Sequence, residues 1–119
     1  MSDPNKLDSL VNRLASEAIA YKSLAVRSAE SEAEHKRERA KAFLRARSEG
    51  GTVGDAEAKS EADPVVSDLY AKRLAAAAVA DSQKELIRSL RAAIDAEQTN
   101  RADMRAADIA AARGYGGAA

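Results

Sequence analysis

No glycine or proline interrupts the chain between Pro4 and Gly50, and none between Pro64 and Gly114. Glycine ends helices through its conformational entropy and proline through its missing donor and ring clash. Two uninterrupted runs of this length therefore point to two long helices. Asp-Pro opens each run, as Asp3-Pro4 and Asp63-Pro64. An Asp carboxylate accepts the orphan amides of a first turn, and Pro at the first helical position forfeits no hydrogen bond.

In the first run Leu7, Leu10, Val11, Leu14, Ala18, Tyr21, Ala25 and Ser28 recur at three- and four-residue spacing and share one helical face. The pattern predicts a helix over about 4–47, roughly 65 Å long. Residues 48–62 combine Gly50, Gly51 and Gly54 with acidic groups. Thr52 and Asp55 have the spacing of a capping box, which predicts a short helix from Val53 to Ala62 after the turn.

The second run places Val66, Leu69, Tyr70, Arg73, Ala77, Ala80, Lys84, Ile87, Leu90 and Ile94 at helical spacing and predicts a helix over about 64–112. Arg73 and Lys84 interrupt its apolar stripe, so a strict coiled-coil heptad is not expected. Gly114, Gly116 and Gly117 follow, and 114–119 is expected to be a disordered tail. The fold class is all-α: one helical domain over 1–113, arranged as a long antiparallel helical hairpin with a short linking helix.

Of 119 residues 29 are Ala, while Val, Ile, Leu and Phe together number 20. Such helices bury too little surface to offset chain entropy alone, which predicts closure of the core by homo-oligomerisation. Ala75 to Ala78 would let a neighbouring backbone approach closely. The 19 basic and 19 acidic residues balance, which argues against a conventional basic DNA-binding domain.

The chain has no Cys and one His, so neither a disulfide scaffold nor a Cys- or His-built metal site is expected. No stretch approaches the roughly 18 apolar residues of a membrane span, and the start lacks a signal-peptide pattern. The expectation is a soluble intracellular protein with no membrane partner and no cofactor. Catalysis needs a tuned nucleophile or base in a pocket. His35, within Glu34-His35-Lys36-Arg37, reads as a solvated surface residue, and the glycines lack the strand and Lys-Ser/Thr of a phosphate loop. An enzyme is not expected.

The most distinctive local feature is His35 to Arg47. It carries Lys36, Arg37, Arg39, Lys41, Arg45 and Arg47 against Glu38 alone, a formal charge of +5. Arg37, Lys41 and Arg45 form one helical stripe, and neighbouring like charges repel by a few tenths of a kcal/mol. An anionic partner, above all a nucleic-acid backbone, is one reading. The other is a solvated face paired with acids such as Glu30, Glu32 and Glu34 or those of the linker. Lys84, Arg88 and Arg91, with Arg101 and Arg105, are interleaved with Glu85, Asp95, Glu97 and Asp103 and read as helix-surface pairing. Aromatic residues are few, though Phe43 beside Arg45 offers one stacking platform.

Taken in order, Ala33-Glu34-His35-Lys36-Arg37, Ala40-Lys41-Ala42-Phe43-Leu44, the turn with Thr52-Val53, Leu90-Arg91-Ala92-Ala93-Ile94-Asp95 and Asn100-Arg101-Ala102-Asp103-Met104-Arg105-Ala106 resemble the phage recombination mediators of the UvsY family. The resemblance covers roughly 32–107. A family stretch reading Lys-Ala-Arg-Leu contributes to single-stranded DNA binding; Lys41, Ala42 and Leu44 match it, with Phe43 in the Arg position.

The resemblance implies a non-enzymatic factor, cytoplasmic in an infected bacterial host, that binds single-stranded DNA. Such a factor helps a RecA-like recombinase replace single-strand-binding protein. It implies a ring-like homo-oligomer, with Leu86, Ile87, Leu90, Ile94 and Met104 against neighbouring subunits. Lys36, Arg37, Arg39, Lys41, Phe43, Arg45 and Arg47 would meet the nucleic acid. The competing class is a helical phage scaffolding, assembly or interaction protein with no DNA role. If acids of the hairpin neutralise Lys36 to Arg47, the assembly reading is favoured; an uncompensated basic surface favours the mediator.

Overall fold

The computed structural model describes residues 4–116. Three helices account for nearly all of them, α1 (Lys6–Ser48), α2 (Val53–Ala62) and α3 (Pro64–Gly116), and no strand occurs among the described residues. Asp3, expected to cap the first helix, lies outside the described residues, as do positions 117–119 of the expected tail.

Local chemistry sets the helix ends. Gly50 has φ +93°, a left-handed conformation that glycine adopts without steric cost. Its amide donates to the Arg47 carbonyl at 3.0 Å and the Gly51 amide to that of Ala46 at 3.2 Å. This pair of bonds is a Schellman cap that satisfies the last carbonyls of α1. Thr52 Oγ1 accepts the Asp55 amide at 3.2 Å and starts α2. Asp63 Oδ1 then accepts the amides of Val65 and Val66 at 2.9 and 3.2 Å and caps α3, with Pro64 at the first helical position. Gly114 has no positive φ and so forms no left-handed cap, and α3 runs past the expected end at 112 to Gly116.

The helices contribute to two compact units, one from the described parts of Met1–Ala18 and Glu85–Ala119, the other from Ile19–Lys84. In the 19–84 unit the buried residues include His35, Ala42, Ala46, Ala56, Ser60, Val66, Leu69 and Ala80. Most are small, so the helices meet over alanine-sized contacts. In the terminal unit Leu90, Ile94 and Glu97 of α3 are buried, and Leu7, Leu10 and Leu14 of α1 are half-buried. Every described position from Ala102 to Gly114 is exposed.

Seven-residue spacing organises the inward face of both units, contrary to the expectation from hydropathy. In the 19–84 unit Tyr21, Ser28, His35 and Ala42 form one row of α1, and Val66, Arg73 and Ala80 one row of α3, all buried or half-buried. In the terminal unit Leu7 and Leu14 answer Ile87, Ile94 and Arg101 at the same interval. This is the period of coiled-coil seams. Arg73 does not break the row but belongs to it. Lys84 lies beside it, exposed, with its ammonium 5.8 Å from the Tyr21 ring centroid.

Candidate nucleic-acid interface

α1 carries the whole basic segment, so the side chains from Lys36 to Arg47 spiral around one helix. Four of its six cations have carboxylate partners. Lys36 Nζ meets Glu32 at 2.9 Å and Lys41 Nζ meets Glu38 at 3.2 Å, both one turn away on α1. Arg39 Nη2 meets Glu61 of α2 at 3.1 Å, and Arg45 Nη2 lies 3.7 Å from Asp63, between α2 and α3. Arg47 Nη1 donates to the Gly51 carbonyl at 2.9 Å and braces the turn. Arg37 is exposed, with no ion-pair partner among the described residues. Phe43 is half-buried, whereas Leu44 beside it is 65 % exposed.

His35 lies inside the 19–84 unit, 5 % exposed, which corrects the expectation of a solvated side chain. It occupies an inward row position, and the Tyr70 ring packs against it with centroids 5.3 Å apart. Arg73 Nη1 lies 3.2 Å from His35 Nδ1, and its Nη2 meets Glu32 Oε1 at 3.3 Å. A guanidinium can only donate, so Nδ1 accepts and the ring proton resides on Nε2. Burial, then the positive charges of Arg73, Arg39 and Lys36, hold the His35 pKa below the usual histidine value. The hydrogen bond from Lys36 and the charges of Lys36 and Arg73 lower that of Glu32.

Two clefts flank the Arg39–Glu61 pair. One, of about 440 Å³, is lined by His35, Arg39, Glu61, Val66 and Tyr70. The other, of about 450 Å³, has Lys36, Arg39, Ala40, Phe43 and Leu44 on one wall and Glu57 and Ser60 of α2 on the other. An anion approaching these cations meets carboxylates already in place.

The residues assigned to subunit contacts separate. Leu90 and Ile94 are buried inside their own unit, Leu86 and Ile87 are half-buried, and Met104 is exposed. Glu97, read from sequence as part of a surface pair, is 5 % exposed; Lys6 Nζ lies 3.7 Å from its Oε2 and Arg101 Nε 3.5 Å from its Oε1. Its Oε1 accepts no hydrogen bond. Sequence reasoning missed the joined group of Glu32, His35, Tyr70 and Arg73. The signal that could have found it is seven-residue spacing counted without regard to polarity.

No helix among the described residues is long and apolar enough to cross a membrane. Comparison with protein-family models, curated proteins and solved structures gave no match.

Proposed function

We propose that this chain is a non-enzymatic helical interaction protein, an assembly factor that covers its remaining apolar surface with further copies of itself. The helices fold back as an antiparallel hairpin in this reading. Contacts within each unit support it: Lys84 pairs with Tyr21 and Arg73 with Glu32, while Arg101 reaches Pro4 and Glu97 reaches Lys6. The observation that carries the reading is the distribution of large apolar residues. Val66, Leu69, Leu90 and Ile94 are the large aliphatics buried among the described residues, whereas Ile19, Val26, Leu44, Leu74, Met104 and Ile109 are each about half exposed or more. The exposed end of α3 adds to it, because an isolated helix of about 15 residues is marginal in water and gains stability by packing. The in-chain neutralisation of Lys36, Arg39, Lys41 and Arg45 favours assembly over polyanion binding.

Replacing Met104 and Ile109 together by Glu places two charges on that end of α3. The double variant is expected to have a smaller mass in solution by light scattering than the parent chain, with nearly unchanged helicity. Equal masses would remove the end of α3 from the interface.

A second reading is a mediator that binds single-stranded DNA, with a RecA-like recombinase and single-strand-binding protein as partners. The exposed Arg37, which has no ion-pair partner among the described residues, favours it, as does the surface setting of its neighbours. Exposed ion pairs contribute about 0–1 kcal/mol and can be exchanged for phosphate contacts. Labelled single-stranded oligonucleotide measured at low and moderate salt separates the readings. Binding that weakens steeply with salt supports the mediator, and indifference at both salts supports the assembly factor.

A further inference from the structure

Helix α2 sits beside the basic segment as a strip of negative charge. Its Glu61 holds Arg39 at 3.1 Å, and Asp63 at its C-terminal end lies 3.7 Å from Arg45. Glu57 faces Lys36 and Arg39 across the cleft that contains Phe43. The apolar anchorage of α2 is small, since Ala56 and Ser60 are its buried residues. The Ser60 hydroxyl is satisfied inside α2, by the Glu57 carbonyl at 2.8 Å. The connection to α1 passes through Gly50 and Gly51, where the backbone turns at a positive φ. An element with little buried surface, attached through exposed ion pairs, belongs to the low-stability end of local opening.

We propose that α2 is a detachable acidic clasp that occupies Arg39 and Arg45 of the basic segment until a nucleic-acid phosphate backbone displaces its carboxylates. The proposal rests on the second reading above. Carboxylate and phosphate compete for the same guanidinium donors. When the clasp leaves, Arg39 and Arg45 join Arg37 as free cations, and Phe43 loses the α2 wall of its cleft. The clasp thereby sets a threshold: a short or weakly charged anion leaves α2 in place, and a longer strand with several phosphates lifts it.

The test pairs Glu61→Gln with Asp63→Asn in the full chain. Asn caps a helix about as well as Asp, so the start of α3 is preserved while both clasp charges are removed. Asp81→Asn with Asp95→Asn removes the same charge from exposed positions elsewhere. A fluorescent oligothymidylate strand is titrated into each protein. The clasp variant is expected to bind roughly tenfold tighter, with a log–log salt slope steeper by about 1.4 for two added phosphate contacts. The control pair is expected to match the parent chain. Equal affinity of the clasp and control variants overturns the clasp while leaving the DNA reading intact. Absence of binding by all three proteins overturns that reading and the clasp with it. Hydrogen exchange on the parent chain gives a second measurement independent of the variants. Bound oligonucleotide should reduce the protection of amides 56–62, and unchanged protection at saturation overturns the proposal.

Discussion

In the 19–84 unit Glu32, His35 and Arg73 are joined by hydrogen bonds, whereas in the terminal unit one oxygen of the buried Glu97 carboxylate accepts none. The contacts of Arg73 with His35 and Glu32 are 3.2 and 3.3 Å, and the Tyr70 ring packs on His35. Glu97 shares its row with the larger Leu90, and its cations stand 3.5 and 3.7 Å away. The first unit gains a connected polar cluster beside small buried residues such as Ala42, Ala46 and Ala80. The second gains larger apolar contacts and carries a less satisfied charge, a costly combination in a low-dielectric seam. A seven-residue repeat is thus a geometric frame that quite different chemistry can fill.

The sharpest way to break this comparison is at Leu90. Leu90→Ala should cost about 2–5 kcal/mol by removing one of the two large aliphatics buried in the terminal unit. Native-state hydrogen exchange should show the loss in amides 6–18 and 85–101 and spare those near His35. Equal loss in both regions would mean that the units open together.

A smaller effect, in the opposite unit, is expected from Gly50→Ala. A Cβ at Gly50 meets nothing within 4 Å, so the cost is that of the backbone conformation alone. It should be about 1–2 kcal/mol, read as a lower midpoint of thermal or urea unfolding. An unchanged midpoint would show that the turn can relax to negative φ.

The smallest effect is a difference in pH response. His35 has a lowered pKa in the folded chain, so on acidification the unfolded state takes up the proton first, from about pH 6.5. Its contribution to stability is therefore full at pH 7 and above and declines as the pH falls below about 6.5. His35→Gln replaces the titrating ring with a neutral side chain that can still accept from Arg73. Thermal midpoints measured from pH 7.5 to 5.5 should fall for the parent chain more than for the variant. Parallel curves would remove His35 as the cause.

The three helices are legible because Gly50, Thr52 and the Asp63-Pro64 pair occur where the backbone chemistry requires them, although α1 begins at Lys6 rather than at Pro4. The inward rows are less legible, since hydropathy ranks His35, Arg73 and Glu97 as surface residues. With Ala on every face, three- and four-residue spacing also fits several faces of the same helix. The basic run is obvious from composition, and the acids of the linker were recognisable as candidates for its neutralisation. That Glu61 finds Arg39 and Asp63 approaches Arg45 depends on where the Gly50 turn sends α2, which no count of charges contains.

The contact between Arg101 and the Pro4 carbonyl spans 97 residues of chain, against 22 for Arg39 and Glu61. A growing chain therefore makes the parts of the 19–84 unit before it holds those that close the terminal unit. At synthesis rates of about 5–20 residues per second, the interval between Leu14 and Arg101 is roughly four to seventeen seconds. For that time Leu7, Leu10 and Leu14 lack the complete α3 face that half-buries them in the folded chain, and they stand open to a nascent neighbour or a chaperone.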